Sequence, residues 1–528
     1  MSPRTLTLAA LFTLAASPAW AEVCDESTAI AESLQYLRRL SLDLRGRVPT
    51  LEEQSSVVTN GAIDPSIIEA MVESDDLLHQ VRRHHLDMLW TNLANLRITN
   101  PPWILSPPNG RQTAPAYFIQ AQVRRTRYRG GPVTCLDEPA RFDGEGNIQT
   151  TVDANNPNIR REGWVEVSPY WAPDTTIRVC AFDAQENLTV TDERGNTIDC
   201  SVNINNTGCG CGPNLRWCQS PVDGTLSAIT TSMNEQLLRY MDDVVRDDRP
   251  YTDVILGKDF EIDGPLAFWL NNQSRTGGNT LPAAPLQDHP IPDRAFTDAS
   301  WQTVQRGDQH AGVLSMPGYL LKFGSNRGRA NRFYDAFLCQ HFESNEPIPP
   351  ATDECHKEPD LTKRCGCKGC HLAVEPAAAH WGRWAEAGLI AMTDAQFPTY
   401  NEQCAGRNGA RIPVCRLFYF TEADVTDSAS ESEYVGMLRA YVFADEARAA
   451  NIEEGPIGIA QSAVESGTFA SCTVEKMWTR LMSHPPTETE AETVAELAAD
   501  FANGYSLKSL IHAIVQRPEY VEAARGGE

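Results

Sequence analysis

Cys367-Lys368-Gly369-Cys370-His371 sets two thiols three positions apart, with an imidazole directly after the second. On one helical turn, thiols at that spacing reach the two vinyl groups of a single porphyrin. The adjoining histidine then lies under the ring with a nitrogen toward the iron. In a chain of 528 residues with 15 Cys and 11 His, the pattern arises by chance roughly 0.01 times. The chemistry it predicts is covalent attachment of one haem c, with Cys367 and Cys370 as thioether anchors and His371 as proximal iron ligand. Two other uses of the same residues are a Cys367–Cys370 disulfide and a zinc site of Cys365, Cys367, Cys370 and His371. The zinc reading crowds its ligands and lacks a second ligand pair at ordinary spacing.

A sixth iron ligand sets the redox character: a thioether raises the potential and a second imidazole lowers it. Met316, in Ser315-Met316-Pro317, and His380 are the leading candidates, with His356, Met392 and Met437 behind them. An open sixth position would instead admit ligand chemistry. Near the motif, Trp381 and Trp384 are candidates to pack on the porphyrin, and Arg383 to pair with a propionate. Cys404 and Cys415 flank a Gly/Arg/Pro loop and are a candidate disulfide. Haem attachment leaves 13 of the 15 cysteines, an odd number. His84 and His85 are adjacent, project about 100° apart on a helix and so do not share a face; they read as structural. No Ser/His/Asp order, phosphate loop or HExxH is present, so hydrolase and nucleotide-binding readings lack support and no catalytic residue is assigned.

Attachment of haem c takes place outside the bacterial cytoplasm, and the first 21 residues suit that. Arg4, an apolar run from Leu6 to Ala16 and Ala19-Trp20-Ala21 form a secretory leader with a small-x-small cleavage site. The run is about half the ~20 residues of a spanning helix, and nothing downstream is long and apolar enough to span. A periplasmic or extracellular location follows, with disulfides the expected state of the remaining cysteines. Lys+Arg 45 against Asp+Glu 70 give a net charge of −25. Such a surface repels phosphate backbones, which argues against nucleic-acid binding, and favours a redox partner with a basic docking patch.

The elements that must position this motif are mostly helices. With 41% hydrophobic and 22% charged residues, the chain is neither disordered nor fibrous. Ile30, Leu34, Leu37, Leu40 and Leu44 recur at helical spacing up to Gly46, and Thr50-Leu51-Glu52-Glu53 is a capping box opening a second helix. Asp64-Pro65 starts a third, and a fourth spans 77–96 with Leu78, Val81, Leu86, Leu89 and Leu93 facing inward. Between Ala114 and Ser220 the period is lost. Short β-prone runs (164–167, 176–179, 188–191) alternate with turn clusters at 143–146 and 194–196, and six cysteines fall there. Six cysteines allow fifteen pairings, so connectivity stays open.

Helical pattern returns at 226–245, 331–342 and 474–520, with a Pro/Gly/Asn-rich linker at 271–298 and a Pro-rich turn at Pro347 to Pro350. The predicted organisation is a leader (1–21), an N-terminal helical domain (22–112), a Cys-rich β insertion (113–222), a helical segment and linker (223–300), a haem-binding segment (301–400) and a C-terminal helical domain (401–528). The fold class is mainly α and multidomain, with an inserted disulfide-containing small β-module and a cytochrome-c-like haem segment.

The run from Tyr36 to Glu53, YLRRLSLDLRGRVPTLEE, resembles the RRLxLDLxGxxPTxxE opening of planctomycete-type cytochrome c proteins, which are also frequent in myxobacteria. The blocks Arg249–Leu256, His310–Ser315, Asn326–Asn331, Cys370–Pro376 and Tyr505–Tyr520 are similar to later family blocks, in family order and over perhaps two thirds of the chain. The β-module lies outside them. The resemblance implies an exported, mostly helical monohaem cytochrome, with haem attachment at Cys367, Cys370 and His371. The family's glycine after the acidic-Pro pair is replaced here by Ala377-Ala378-Ala379-His380, which leaves the distal side open. The expected function is electron transfer. The alternatives are a haem-dependent oxidoreductase acting on an extracytoplasmic substrate and a cell-surface binding protein.

Overall fold

The computed structural model describes residues 19–89, 98, 103–108, 114–120, 128–192, 194–204, 206–222, 224–274, 291–342, 350, 352–386, 389, 391–426 and 429–525. The described chain is mainly helical, and its strands pair only as two-stranded antiparallel sheets. Backbone contacts divide it into two compact units, Met1–His84 with Thr473–Glu528, and His85–Cys472.

In the first unit, helix Ala19–Arg45 buries Leu37, Leu40 and Leu44 completely, the stripe that its three- and four-residue spacing requires. Gly46 stops it with φ +69°, a left-handed conformation that its missing Cβ makes cheap. Thr50 then caps helix Leu51–Asn60 as the sequence indicates. Its hydroxyl accepts from the Glu53 amide, and the Glu53 carboxylate accepts from the Thr50 amide. Asp64 caps helix Pro65–Val72 through the Ser66 amide at 2.9 Å. From the other end of the chain, helix Leu507–Val515 buries Leu507, Leu510, Ile511, Ile514 and Val515 in the same unit. The Tyr36 hydroxyl donates to the Val515 carbonyl at 2.7 Å and the Tyr520 hydroxyl to Asp43 at 2.7 Å. The two ends of the chain therefore form one unit, whereas the sequence order suggested separate N- and C-terminal domains. Neither set of helices covers its apolar stripe alone.

Arg45 forks onto both oxygens of Glu53, at 2.8 and 2.9 Å. These hydrogen bonds, with those from Thr50, outweigh burial and hold the Glu53 carboxyl down at about 2, against an ordinary 4.5. A depressed carboxylate stabilises the fold above its unfolded value, and that contribution is lost as pH falls through the folded value. Glu53→Gln is therefore expected to lower the urea midpoint of this unit at neutral pH. The gap to the parent protein should narrow from about pH 4.5 downward and close near pH 2. A gap that stays constant over this range would remove the bridge from the account.

The second unit carries the Cys-rich insertion. Trp164–Val167 pairs with Ile177–Cys180 and Thr189–Thr191 with Thr197–Asp199, within a residue of the β-prone runs. Of the fifteen connectivities, the one adopted is Cys135–Cys180, Cys200–Cys209 and Cys211–Cys218. The segment that leads into the insertion lies beside the insertion's end: the Leu105 amide donates to Gln219 O at 3.1 Å and the Gln219 amide to Trp103 O at 2.9 Å. Helix Thr225–Arg246 follows and buries Ile229, Met233, Leu237, Leu238 and Met241.

Several local expectations change. Within 223–300 the structure adds a strand, Asp259–Ile262, paired antiparallel with Gln302–Gln305, which the sequence does not indicate. The two strands are four residues long and far apart in sequence, too short for periodicity to register. Leu86 is 36% exposed, and the inward face of helix Asp75–Leu89 is Leu77, Val81, Met88 and Leu89. His84 and His85 are both buried, His85 Nε2 lying 3.1 Å from the Tyr251 hydroxyl, consistent with a structural role. The helix expected over 331–342 runs from Asn326 to Phe333, widens into a π-helical turn over Tyr334–Leu338 and stops at Cys339, φ +54°. Leu93, most of the 271–298 linker and Pro347 lie outside the described residues, as does most of the leader. Among the described residues no helix is long and apolar enough to cross a membrane.

Candidate functional site

Helix Lys368–Ala379, the motif helix, starts directly after Cys367 and packs against helices Asn326–Phe333 and Glu446–Glu465. Just upstream, Cys355 is bonded to Cys365. That bond takes Cys365 away from the four-ligand zinc arrangement. Twelve cysteines are paired, in the bridges already given plus Cys339–Cys472, Cys355–Cys365 and Cys404–Cys415. Cys367 and Cys370 are free thiols, both half-buried and not bonded to each other. The odd cysteine in the count is Cys24, whose side chain is outside the description. Cys370 Sγ lies 3.9 Å from the Phe342 carbonyl.

One turn after His371 comes Glu375, on the same helix face. The His371 Nδ1 is 2.5 Å from Glu375 Oε1, and Arg327 Nε donates to that same oxygen at 2.6 Å. Arg448 lies 3.7 Å from Oε2. Glu375 is 7% exposed. Burial alone would raise its pKa, but hydrogen bonds from Arg327 and His371 hold the carboxyl below its ordinary value. With Nδ1 taken, Nε2 is the ring nitrogen left to face a metal. A carboxylate behind a ligating histidine fixes its tautomer and ring orientation. Two thiols one turn apart, beside an imidazole so held, are a donor set for a covalently attached iron porphyrin.

Glu375 also lines a cavity of about 610 Å³, with Ala378, Ala379 and Gly382 from the motif helix and the turn after it. Arg327, Arg439 and Arg448 supply its positive charge and Glu375 and Glu386 its negative charge; Met392, Phe418 and Leu438 supply apolar wall. Arg327, Glu375, Arg439 and Arg448 also line an adjoining hollow of about 240 Å³. Cys367, Cys370 and His371 are not among the lining side chains of either, and Glu375 is their connection to the cavity through its bond to His371.

The remaining candidates separate clearly. Trp384 lines the cavity at 2% exposure, and its indole N–H has no acceptor among the described residues. Trp381 is in the core, donating to the Leu314 carbonyl at 3.3 Å and packing on Tyr319 and Phe333. Arg383 is not at the cavity. Its guanidinium is committed to the Tyr441 hydroxyl, the Phe397 carbonyl at 2.7 Å, Asp394, Thr399 and Glu453, which leaves it poorly placed for a propionate. The arginines that line the cavity are Arg327, Arg439 and Arg448, of which Arg439 is bonded to both oxygens of Asp424 at 2.9 Å; none carried a local sequence signal for it.

Met316 is fully buried at the start of helix Pro317–Lys322 and does not line the cavity. Nor does His380, whose Nδ1 donates to the Gly455 carbonyl at 3.0 Å and whose pKa is lowered by burial. Gly455, at φ +71°, and Pro456 break helix Glu446–Glu465 and aim that carbonyl. His356 lies in the turn Glu354–Lys357, and Met437 in a bridge with Tyr400. Of the five sixth-ligand candidates, Met392 is the one at the cavity.

Two other constellations lie apart from this cavity. Ser315 Oγ lies 2.7 Å from His310 Nδ1, but both residues are buried in the core and line neither cavity. Cys135, Glu162 and Cys180 meet at metal-ligand distance, yet their sulfurs are already bonded to each other. Comparison with known families, with curated proteins and with solved structures finds no match for this chain.

Proposed function

We propose that this chain is an exported monohaem c-type cytochrome of the planctomycete type, working in electron transfer outside the cytoplasm. Cys367 and Cys370 are the thioether anchors and His371 the proximal ligand, so the motif helix is its cytochrome-c-like segment. One observation carries the reading. In a chain whose other described cysteines are all paired, the two left as thiols are those of the CxxCH motif, and the histidine beside them has its Nδ1 already tied to a buried carboxylate. Bound haem supplies a one-electron couple at its iron. The chain's own residues hold the His371 ring, keep charge balanced around Glu375 and shape the adjoining cavity. Six disulfides and the leader-like first residues support an oxidising, extracytoplasmic location. The net charge of −25 suits a redox partner with a basic patch and salt-sensitive association.

A second reading, a haem-dependent oxidoreductase, rests on the 610 Å³ cavity, where three arginines and two carboxylates, Glu375 and Glu386, meet an apolar wall, a lining that suits a small polar molecule. Production with haem-maturation machinery, followed by absorption spectra before and after reduction, tests both. A c-type α-band that survives denaturation is expected for the wild type. Its absence overturns the haem assignment. Binding of carbon monoxide by the reduced protein would move the balance to the oxidoreductase, and failure to bind it to electron transfer.

A further inference from the structure

We propose that Glu375 is a positioning residue that both orients the His371 imidazole and loads negative charge onto it, with Arg327 limiting how much. The inference rests on the haem reading above. Helical geometry places His371 and Glu375 on one face, as an i, i+4 pair. An exposed pair of this kind would be loose and weak. This one is not: Glu375 is 7% exposed, its oxygen is within hydrogen-bond reach of Nδ1, and Arg327 holds the same oxygen from a second helix.

An anionic acceptor on Nδ1–H draws the proton toward itself and leaves more electron density on Nε2, the nitrogen facing the metal. That favours the oxidised iron and lowers the potential. Arg327 competes for the same oxygen, at 2.6 Å, so part of the carboxylate's charge is spent on it. Its half-exposed side chain belongs to a helix capped independently by Ser325, so it can be replaced without opening the core.

The test uses the full chain carrying haem, comparing wild type, Glu375→Gln and Arg327→Met by spectroelectrochemical titration, with thioether-bound haem measured on the denatured protein. Glutamine keeps an acceptor oxygen but removes the charge. At the wild-type midpoint its ratio of reduced to oxidised haem is expected to rise about tenfold, a positive shift of about 59 mV for one electron. Arg327→Met is expected to shift the midpoint the other way by a smaller amount. A Glu375→Gln protein with haem attached and a ratio within about twofold of wild type overturns the proposal and leaves the cytochrome reading standing. If Glu375→Gln fails to retain haem, Arg327→Met decides: a negative shift supports the device, and no shift or a positive one overturns it. A wild type without covalent haem overturns the reading beneath it.

Discussion

Replacing Cys367 and Cys370 together by alanine is expected to reduce covalently retained haem from about one per chain to background, with the fold intact. The preservation of fold follows from their surroundings. Both are half-buried thiols with no disulfide to lose, and the bridges on either side, Cys355–Cys365 and Cys404–Cys415, do not depend on them. Haem staining after denaturing electrophoresis and pyridine haemochrome spectra read the loss. Far-ultraviolet circular dichroism reads the fold. Either single variant should keep one thioether, shifting the α-band rather than abolishing it. Full haem retention in the double variant would mean that attachment lies elsewhere and would end the assignment.

Arg129→Met is the second large expected effect, and it falls on the Cys-rich insertion. Arg129 is fully buried, with Nε 3.1 and 3.0 Å from the two oxygens of Glu162 and Nη2 2.9 Å from Asp183, both carboxylates equally buried. Removing the cation strands two acids away from water, which costs about 3–5 kcal/mol. Hydrogen exchange at strands Trp164–Val167 and Ile177–Cys180 should accelerate at least about a hundredfold where it follows unfolding of the insertion. Replacing Glu162 and Asp183 by leucine in the same variant should recover much of that protection, because a matched apolar cluster stands in for a buried ion pair at little cost. Unchanged exchange in Arg129→Met would show that the triad adds nothing net.

What was legible in advance tracks how far each feature reaches along the chain. The capping box at Thr50 and Glu53, the Asp64 cap and the stripe Leu37, Leu40, Leu44 are all settled within about two helical turns, so residue order alone exposes them. The β-prone runs of the insertion were visible for the same reason. Leu86 was misassigned because helical period marks a face and not its width: a residue at the margin of the stripe remains 36% exposed. Arg383 lies close to the motif in sequence, but its partners Tyr441, Phe397 and Glu453 come from 14 to 70 residues further on, which local spacing does not show. The strand pair Asp259–Ile262 with Gln302–Gln305 was not legible because its strands are short and its pairing is distant.

By itself the sequence determined the CxxCH motif, the helical bulk, the β-prone insertion and the acidic charge. These depend on residue type and near-neighbour spacing, which the backbone's few allowed conformations translate directly. Only the tertiary structure decided which cysteines pair, leaving Cys367 and Cys370 free, and which groups surround His371. Arg327 and Arg448 reach Glu375 from helices far away in sequence, and the joining of the two chain ends into one unit has the same origin. Such contacts are chosen by the burial of whole helical faces against one another, a property of the assembled core that no local run of residues contains.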